Sequence, residues 1–181
     1  NIPVKVNEPF QMLGEVDEAL KRALGVDVDG IYPKNTMFGF ENRDWKEWQT
    51  PWGQVVLVPG DFKVTEDNDG SLLLYPKGDL SAPASGRLPT GGFFFDTIIR
   101  QEPVDDETLN PEDNLKEFTL FSDQDLEHFA EELKKIRGND RGIILNPGGT
   151  GLGDIALVPA PFEAYPKGIR DVEEWYVSTV M

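Results

Sequence analysis

Residues 76–92 are rich in proline, glycine and serine, and this stretch constrains the fold more than any other part of the chain. Proline removes a backbone donor and glycine favours turns, so neither a long helix nor a continuous strand is expected across it. An apolar run ends at Tyr75 just before this stretch, and three aromatic residues, Phe93 to Phe95, follow it. We therefore predict an irregular loop over 76–92 and a strand over 93–99.

A strong turn signal lies upstream, at Asp67-Asn68-Asp69-Gly70. Strand-like segments at 62–65 and 71–75 flank it, which predicts a hairpin within an antiparallel meander over residues 52–75. The same four residues superficially resemble a calcium-binding loop. That alternative fails, because with Gly70 as the turn glycine the position that needs a bidentate glutamate is Pro76.

Two segments instead predict α/β structure. Glu15 to Leu24 has a helical apolar stripe that stops at Gly25, and a short strand is expected over 26–33. A second helix is expected from Ser122, as N-cap, to about Arg137, followed by a buried strand over 142–146. A third helix is expected from Ile169 to the end. Helices alternating with strands indicate a parallel α/β fold, with residues 44–100 as an antiparallel insertion.

Composition excludes several classes of function. The net charge of −16 repels phosphate backbones and anionic lipid, so we expect neither nucleic-acid nor membrane binding. The chain has no cysteine, which excludes disulfides and thiolate chemistry within it, and it has no apolar run long enough to span a bilayer. We expect a cytoplasmic protein. Its 181 residues are too few for a complete eight-stranded α/β barrel, and Asn1 is interpreted as an interior cut.

The glycine-rich loop 148–154 follows the strand expected at 142–146. Barrel enzymes place their chemistry at the carboxyl ends of strands, so this loop is a candidate pocket wall, with Asn146, Thr150 and Asp154 as its polar, substrate-binding groups. A phosphate cradle and a purely structural turn are the alternatives. The dinucleotide glycine pattern is not met, and no clean helix start follows the loop.

Two aromatic clusters form the other candidate site: Trp45, Trp48 and Trp52, and Phe93 to Phe95. They are expected to form a wall for a flat macrocycle, an interface patch, or a core at the edge of a sheet. Arg87 and Arg100 lie on either side of the second cluster. Because arginine pairs with carboxylates bidentately, each is a candidate substrate contact, with an ordinary surface or ion-pair role as the alternative. His128, the single histidine, is expected to face solvent.

Three short motifs carry a resemblance: Tyr-Pro-Lys-Gly-Asp at 75–79, Gly-Phe-Phe-Phe-Asp at 92–96, and Gly-Gly-Thr-Gly-Leu-Gly-Asp at 148–154. With them the chain resembles the front and middle of uroporphyrinogen-decarboxylase-like proteins, in the branch grouped with corrinoid-dependent methyltransferases. The resemblance implies a (β/α)8 barrel. It also implies either cofactor-free decarboxylation of a tetrapyrrole or methyl transfer between a corrinoid and a thiol with the help of zinc.

The chain departs from the family in two ways. It lacks the arginine-rich signature of the decarboxylases, so no catalytic residue can be carried over. It also ends before the histidine and cysteine zinc ligands, so no cofactor is expected within it, whereas zinc and a corrinoid are possible for the full-length parent. We therefore expect a single domain, residues 1–181, forming a partial (β/α)8 TIM-type barrel with an inserted antiparallel β-meander.

This fragment is expected to belong to an enzyme acting on a tetrapyrrole or a corrinoid-linked methyl group. Its expected partners are a small-molecule tetrapyrrole or a corrinoid protein. The alternative is a non-catalytic module that binds a ligand or a partner protein. Because a partial barrel exposes strand edges and apolar faces, we expect it to pair with another copy of itself or with the missing half of the barrel.

Overall fold

The computed structural model describes residues 2–116, 118–148 and 153–180. Within these ranges the chain forms short strands, three α-helices and two 3₁₀ turns. The strands are β1 (Val6–Glu8), β2 (Leu13–Gly14), β3 (Val28–Ile31), β4 (Lys46–Gln49), β5 (Val55–Val58), β6 (Val64–Glu66), β7 (Leu72–Leu74), β8 (Gly86–Leu88), β9 (Asp96–Thr97) and β10 (Gly142–Leu145). The helices are α1 (Glu18–Leu24), α2 (Asp123–Ile136) and α3 (Val172–Val180), and the 3₁₀ turns span Pro76–Gly78 and Pro111–Leu115.

Antiparallel pairing dominates the middle of the chain. The largest sheet has four strands in the order β6-β7-β8-β9, and β4 pairs with β5 as a separate hairpin. The predicted hairpin at 67–70 is confirmed: Asp67 N–H donates to the Ser71 carbonyl at 2.8 Å, and Gly70 has a φ of 77° that favours glycine. The predicted loop over 76–92 is wrong in part, because β8 lies within it and pairs with β7.

A phenylalanine-rich core lies beneath these strands. The fully or almost fully buried apolar residues of this core are Val6, Phe38, Phe40, Val56, Val58, Phe62, Leu74, Leu88 and Phe95. The ring of Phe95 meets those of Phe38 and Phe62 edge-on, with centroids 6.3 and 6.0 Å apart, a favoured arrangement for aromatic pairs. Residues 44–100 were predicted to be an insertion, and they supply most of this core.

A second unit contains the parallel strands β3 and β10, which pair in register from Val28–Gly142 to Ile31–Leu145. Asp29 of β3 is 2% exposed, and its carboxylate accepts hydrogen bonds from Lys21 of α1 at 2.8 Å and from Arg141 Nε at 2.8 Å. Asn139 adds a third at 2.6 Å. These contacts lower the pKa of Asp29 to about 2, so its carboxylate is ionised. Through its hydrogen bonds the carboxylate connects α1, β3 and the start of β10.

The predicted helices are confirmed except that α3 begins at Val172 instead of Ile169, and α1 begins at Glu18 instead of Glu15. That helix begins after Asp17, whose side chain accepts from Leu20 N–H, and it ends at Gly25 in the left-handed conformation. In α2, Ser122 and Asp125 form a reciprocal capping box. In the part of the chain that the structure describes, no helix has the length and apolarity needed to cross a membrane.

The predicted partial (β/α)8 barrel is wrong. Among the described strands, β3 and β10 make up the one parallel sheet, and the remaining sheets are small and antiparallel. A barrel wall needs successive parallel strands joined by helical crossovers, whereas here the strands from β4 to β9 pair with one another antiparallel. Strand β10 is also not buried as predicted, since all four of its residues are exposed.

Candidate functional site

The two aromatic clusters meet at an open cleft, which we call the aromatic cleft. Trp52 lies in the turn between β4 and β5, and Phe93 lies between β8 and β9; their ring centroids are 5.2 Å apart at 52°. The cleft has a volume of about 340 Å³, and its apolar walls are Pro51, Trp52, Leu72, Leu88, Pro89 and Phe93. Residues far apart in sequence thus form one concave apolar surface.

Local turns place these rings. Before β5, Gln54 N–H donates to the Thr50 hydroxyl at 3.0 Å, which closes the turn that carries Trp52. After β8, Gly92 N–H donates to the Pro89 carbonyl at 2.8 Å, and Gly91 takes a φ of 79°, which a residue with a side chain rarely adopts. The glycines before the three phenylalanines therefore turn the chain so that Phe93 faces the cleft.

Some rings of the two aromatic clusters lie in the core and others lie at the surface, so neither cluster serves a single purpose. Phe95 is fully buried in the core, whereas Phe93 is 63% exposed at the cleft. Trp48 packs edge-on against Phe62, with centroids 5.0 Å apart. Trp45 lies under the Lys5 ammonium, which is 5.5 Å from the ring centroid. Phe93 and the half-buried Trp52 are thus the rings at the cleft, and Phe94 is also open to solvent at 54% exposed, whereas the remaining rings pack within the fold.

A charged pair lies beside the cleft. Arg87 on β8 donates through Nη2 to the Asp69 carboxylate, and Asp69 Oδ1 also accepts from Ser71 N–H at 3.0 Å. The hydrogen bond from Ser71 and the charge of Arg87 lower the pKa of Asp69. Thr90, which lines the cleft, donates its hydroxyl to the Asp69 carbonyl at 2.9 Å, and Gly70 also lines the cleft. The tip of the hairpin is therefore tied to the cleft wall.

Arg100, the other predicted substrate contact, does not line the cleft. Its guanidinium donates to three backbone carbonyls: Glu163 at 2.7 Å, Ala164 at 3.1 Å and Ala160 at 2.8 Å. Burial lowers the pKa of Arg100. Arg170, which is 1% exposed, similarly donates to the Lys167 carbonyl at 2.6 Å. These arginines fasten the segment around 158–170 to its neighbours.

The predicted polar groups near the glycine-rich loop lie elsewhere, at and beyond the carboxyl end of β10. Asn146 N–H donates to the Ile31 carbonyl at 2.8 Å, and its Oδ1 accepts from Gly148 N–H at 3.2 Å. Asp154 Oδ1 accepts from Ala156 N–H at 2.8 Å. Thr150 lies outside the described residues. Both described side chains thus bond to their own loop.

His128 contacts the end of β3. Its Nε2 lies 2.9 Å from the Tyr32 carbonyl, so the side chain is half-buried and hydrogen-bonded instead of facing solvent as predicted. Tyr32 itself is 62% exposed. The α2 face that contains His128 therefore faces β3, and the imidazole helps to hold helix and strand together.

Glu8 is a half-buried acidic residue whose carboxylate accepts hydrogen bonds from the backbone. Burial raises the pKa of Glu8, but its two oxygens accept from the backbone amides of Phe10 and Met37, at 3.1 and 3.0 Å, which gives it a structural role. No group of three or more His, Cys, Asp or Glu side chains in residues 2–116, 118–148 and 153–180 could hold a metal.

Sequence reasoning missed Asp69 and Thr90 as neighbours of the candidate site. The run 67–70 signals a turn, but nothing in it indicates which strand residue its side chains will meet. The pairing of Asp69 with Arg87 depends on the β7–β8 register, in which Leu73 lies opposite Arg87. The sequence signal for this part of the site was the position of Arg87 shortly before the run Phe93 to Phe95.

In comparisons with known proteins, no family model, no curated protein and no solved structure matches this chain.

Proposed function

We propose that this chain binds a flat, carboxylate-bearing ring ligand of the tetrapyrrole class in the aromatic cleft, as part of a uroporphyrinogen-decarboxylase-like enzyme. The observation that supports this most is the convergence of Trp52 and Phe93, with ring centroids 5.2 Å apart, on an open cleft. Arg87 does not line the cleft but pairs with Asp69 at the hairpin tip that borders it. Aromatic rings stack on flat apolar ligands, and arginine pairs with carboxylates. A cytoplasmic location is part of the same proposal.

The size of the cleft suits part of such a ligand. Small-molecule pockets measure about 300–1,000 Å³, and this cleft, at about 340 Å³, is near the lower limit. One edge of a macrocycle would pack against the open faces of these two rings, which already contact each other, and the remainder would stay in solvent. An edge-on mode leaves most ligand carboxylates hydrated, which avoids the cost of burying them unpaired.

The negative charge of the protein opposes the approach of a negatively charged ligand. The chain carries a net charge of −16, so a polycarboxylate is repelled at a distance. Attraction must come from stacking at the cleft and from Arg87, whose side chain is 44% exposed. Titrations at physiological ionic strength or above are therefore the informative ones, because salt screens the long-range repulsion.

A corrinoid-linked methyl group is the other ligand that the resemblance implies. Under that alternative the chain would supply binding surface, and zinc would be held by residues that this chain does not contribute. The two ligand types differ in shape and charge, because a corrinoid carries amide side chains in place of most carboxylates. Arg87 should therefore matter for a tetrapyrrole carboxylate and little for a corrinoid.

A partner-binding module is the second candidate, and the parallel unit favours it. Strand β10 is exposed along its length, with Ile144 at 59% and Leu145 at 52%, and Leu24 of α1 is 67% exposed. A two-stranded sheet is marginal alone, and an open strand edge is a template for further pairing. This surface therefore suits protein association, whichever ligand the aromatic cleft takes.

Calorimetric titration with uroporphyrin, a planar carboxylated macrocycle, tests the main proposal. Wild type should bind saturably, Phe93→Leu should weaken binding by about five- to tenfold through loss of about 1 kcal/mol of stacking, and Arg87→Gln should weaken it further. Trp45→Leu is the matched control, because Trp45 stands against Lys5. No saturable heat with uroporphyrin, or equal losses in the control, would refute the proposal. Saturation by hydroxocobalamin alone would favour the corrinoid.

A further inference from the structure

We propose that strand β10 is an interface between two copies of this chain, in which β10 pairs antiparallel with β10 of the second copy about a two-fold axis at Ile144. The product is a continuous four-stranded sheet in the order β3-β10-β10-β3. This inference rests on the second candidate function, protein association, to which it assigns a partner and a register. It requires no ligand in the aromatic cleft.

The edge of β10 that faces away from β3 is open. Among the described strands β3 is the one neighbour of β10, and all four residues of β10 are exposed. Charged residues, prolines and bulges are common protections of an edge strand. The strand Gly142–Leu145 contains no charge and no proline, and it pairs with β3 without a bulge. A sheet of two strands is marginally stable, so further strands at this edge would stabilise it.

The hydrogen bonds to β3 determine which backbone groups of β10 point outward. Gly142 N–H and Asn146 N–H each donate at 2.8 Å to a carbonyl of the chain segment around β3. Ile144 lies between them and is in register with Gly30, so it faces β3 in the same way. Successive residues of a strand direct their N–H and carbonyl groups to opposite sides. The outward groups of β10 are therefore those of the two residues beside Ile144.

One two-fold register satisfies both outward N–H groups and both outward carbonyls. In it Ile143 lies opposite Leu145 of the second copy, and Ile144 lies opposite its own counterpart. A shift in one direction would set a carbonyl against Arg141 N–H, which already donates to a side-chain oxygen at 3.1 Å. A shift in the other direction would set a carbonyl against Pro147, which has no N–H. The edge is thus complementary to a second copy of itself.

The distribution of charge is compatible with this pairing. The net charge of −16 makes two copies repel each other at a distance, but no charged residue lies within β10, so no like charges are placed opposite each other. The side chains of Ile143, Ile144 and Leu145 are 42%, 59% and 52% exposed, and pairing would remove apolar surface from water. Salt should therefore strengthen the dimer, because it screens the repulsion.

Cross-linking through single cysteines tests the register, since the wild-type chain has no cysteine. The two Ile144 residues would form a non-hydrogen-bonded pair with Cα atoms about 4.5 Å apart, a separation that a disulfide can span. Ile144→Cys should therefore oxidise to a covalent dimer. Ile143→Cys is the matched control, because its counterpart is displaced along the strand. It should cross-link about tenfold or more slowly, since a strained disulfide costs several kcal/mol.

A second pair of variants tests the backbone bonds. Ile143→Pro removes an outward N–H, a change that edge positions tolerate, whereas Ile143→Ala removes apolar surface and keeps the N–H. By sedimentation velocity, Ile143→Pro should be monomeric with an unchanged circular dichroism spectrum, while wild type and Ile143→Ala should be dimeric.

Equal cross-linking of Ile144→Cys and Ile143→Cys, no cross-linking of either, or a dimer that persists in folded Ile143→Pro would overturn the inference. Uroporphyrin binding enters none of these outcomes, so the ligand proposal and the interface can fail separately.

Discussion

Gly86 shows how a single missing side chain sets the packing of the core. A Cβ atom placed there would lie 2.6 Å from two ring carbons of Phe38, and Phe38 is itself fully buried among other aromatic rings. Close-packed interiors give way poorly to added volume. The glycine in β8 is therefore required by the ring that covers it, and its φ is not positive.

Gly86→Ala should lower the free energy of unfolding by about 1–3 kcal/mol, the usual cost of overpacking. Gly142→Ala is the matched control, because a Cβ in β10 would meet its nearest atom at 3.6 Å, an ordinary contact. Urea denaturation of both variants gives the comparison. Equal destabilisation of the two would show that the Phe38 contact is not what matters.

Asp29 gives the protein a defined acid sensitivity. Its pKa is lowered from 3.8 to about 2, first by Lys21 and then by Arg141. A depressed pKa means that the folded state favours the ionised carboxylate, so this stabilisation is present above pH 4 and is lost as the pH falls from about 4 towards 2.

Asp29→Asn should therefore be less stable than wild type at pH 6, and the difference should shrink by pH 2.5, when the wild-type carboxylate is becoming protonated. Thermal unfolding at both pH values measures the change. Asp27→Asn removes the same charge two residues earlier, outside the pairing with Lys21 and Arg141, and should show a smaller loss at pH 6. A pH-independent difference for Asp29→Asn would contradict the account.

At the scale of elements, different interactions stabilise the antiparallel strands and the parallel pair β3–β10. Strands β5, β7 and β8 each place a residue in the phenylalanine-rich core, namely Val58, Leu74 and Leu88. Strand β10 has no buried residue, and neither α1 nor α2 has one. Ile31 of β3, at 4% exposed, is the buried apolar residue of these elements. The parallel unit therefore depends largely on the Asp29 ion pairs, the helix caps and backbone bonding, and most of its apolar residues remain open to association.

That exposure predicts self-association, and the wild-type chain should be at least dimeric by light scattering at micromolar concentration. Ile144→Asp should shift it towards monomer, because it places a charge on the exposed face of β10, and folding should tolerate it at a residue that is 59% exposed. Leu80→Asp is the control, since Leu80 is 53% exposed but lies in the antiparallel part. A wild-type chain that is monomeric would overturn the expectation.

At the scale of the whole molecule, sequence reasoning found local structure well and long-range pairing poorly. The caps at Ser122 and Gly25 and the 67–70 turn were predictable because each depends on a few neighbouring residues. Strand β8 was missed because its pairing with β7 outweighs the local preference of a proline- and glycine-rich stretch for loops.

The barrel was wrongly predicted for a related reason. A helix followed by a strand indicates a possible parallel unit, but it does not fix how many such units pair side by side. Here β3 and β10 pair across the whole antiparallel segment. The candidate site shows the same limit: the aromatic runs and Arg87 were visible in the sequence, whereas the Trp52–Phe93 contact and the Asp69–Arg87 pair arise only from the folded register.

The central claim is that a flat carboxylated ring packs against Trp52 and Phe93 in the aromatic cleft, and the indole N–H signals of the four tryptophans test it most directly. Uroporphyrin should shift or broaden the Trp52 signal saturably, while the signals of Trp45, Trp48 and Trp175 change far less. Equal changes in all four signals, or no saturable change at Trp52, would contradict a ligand site in the aromatic cleft.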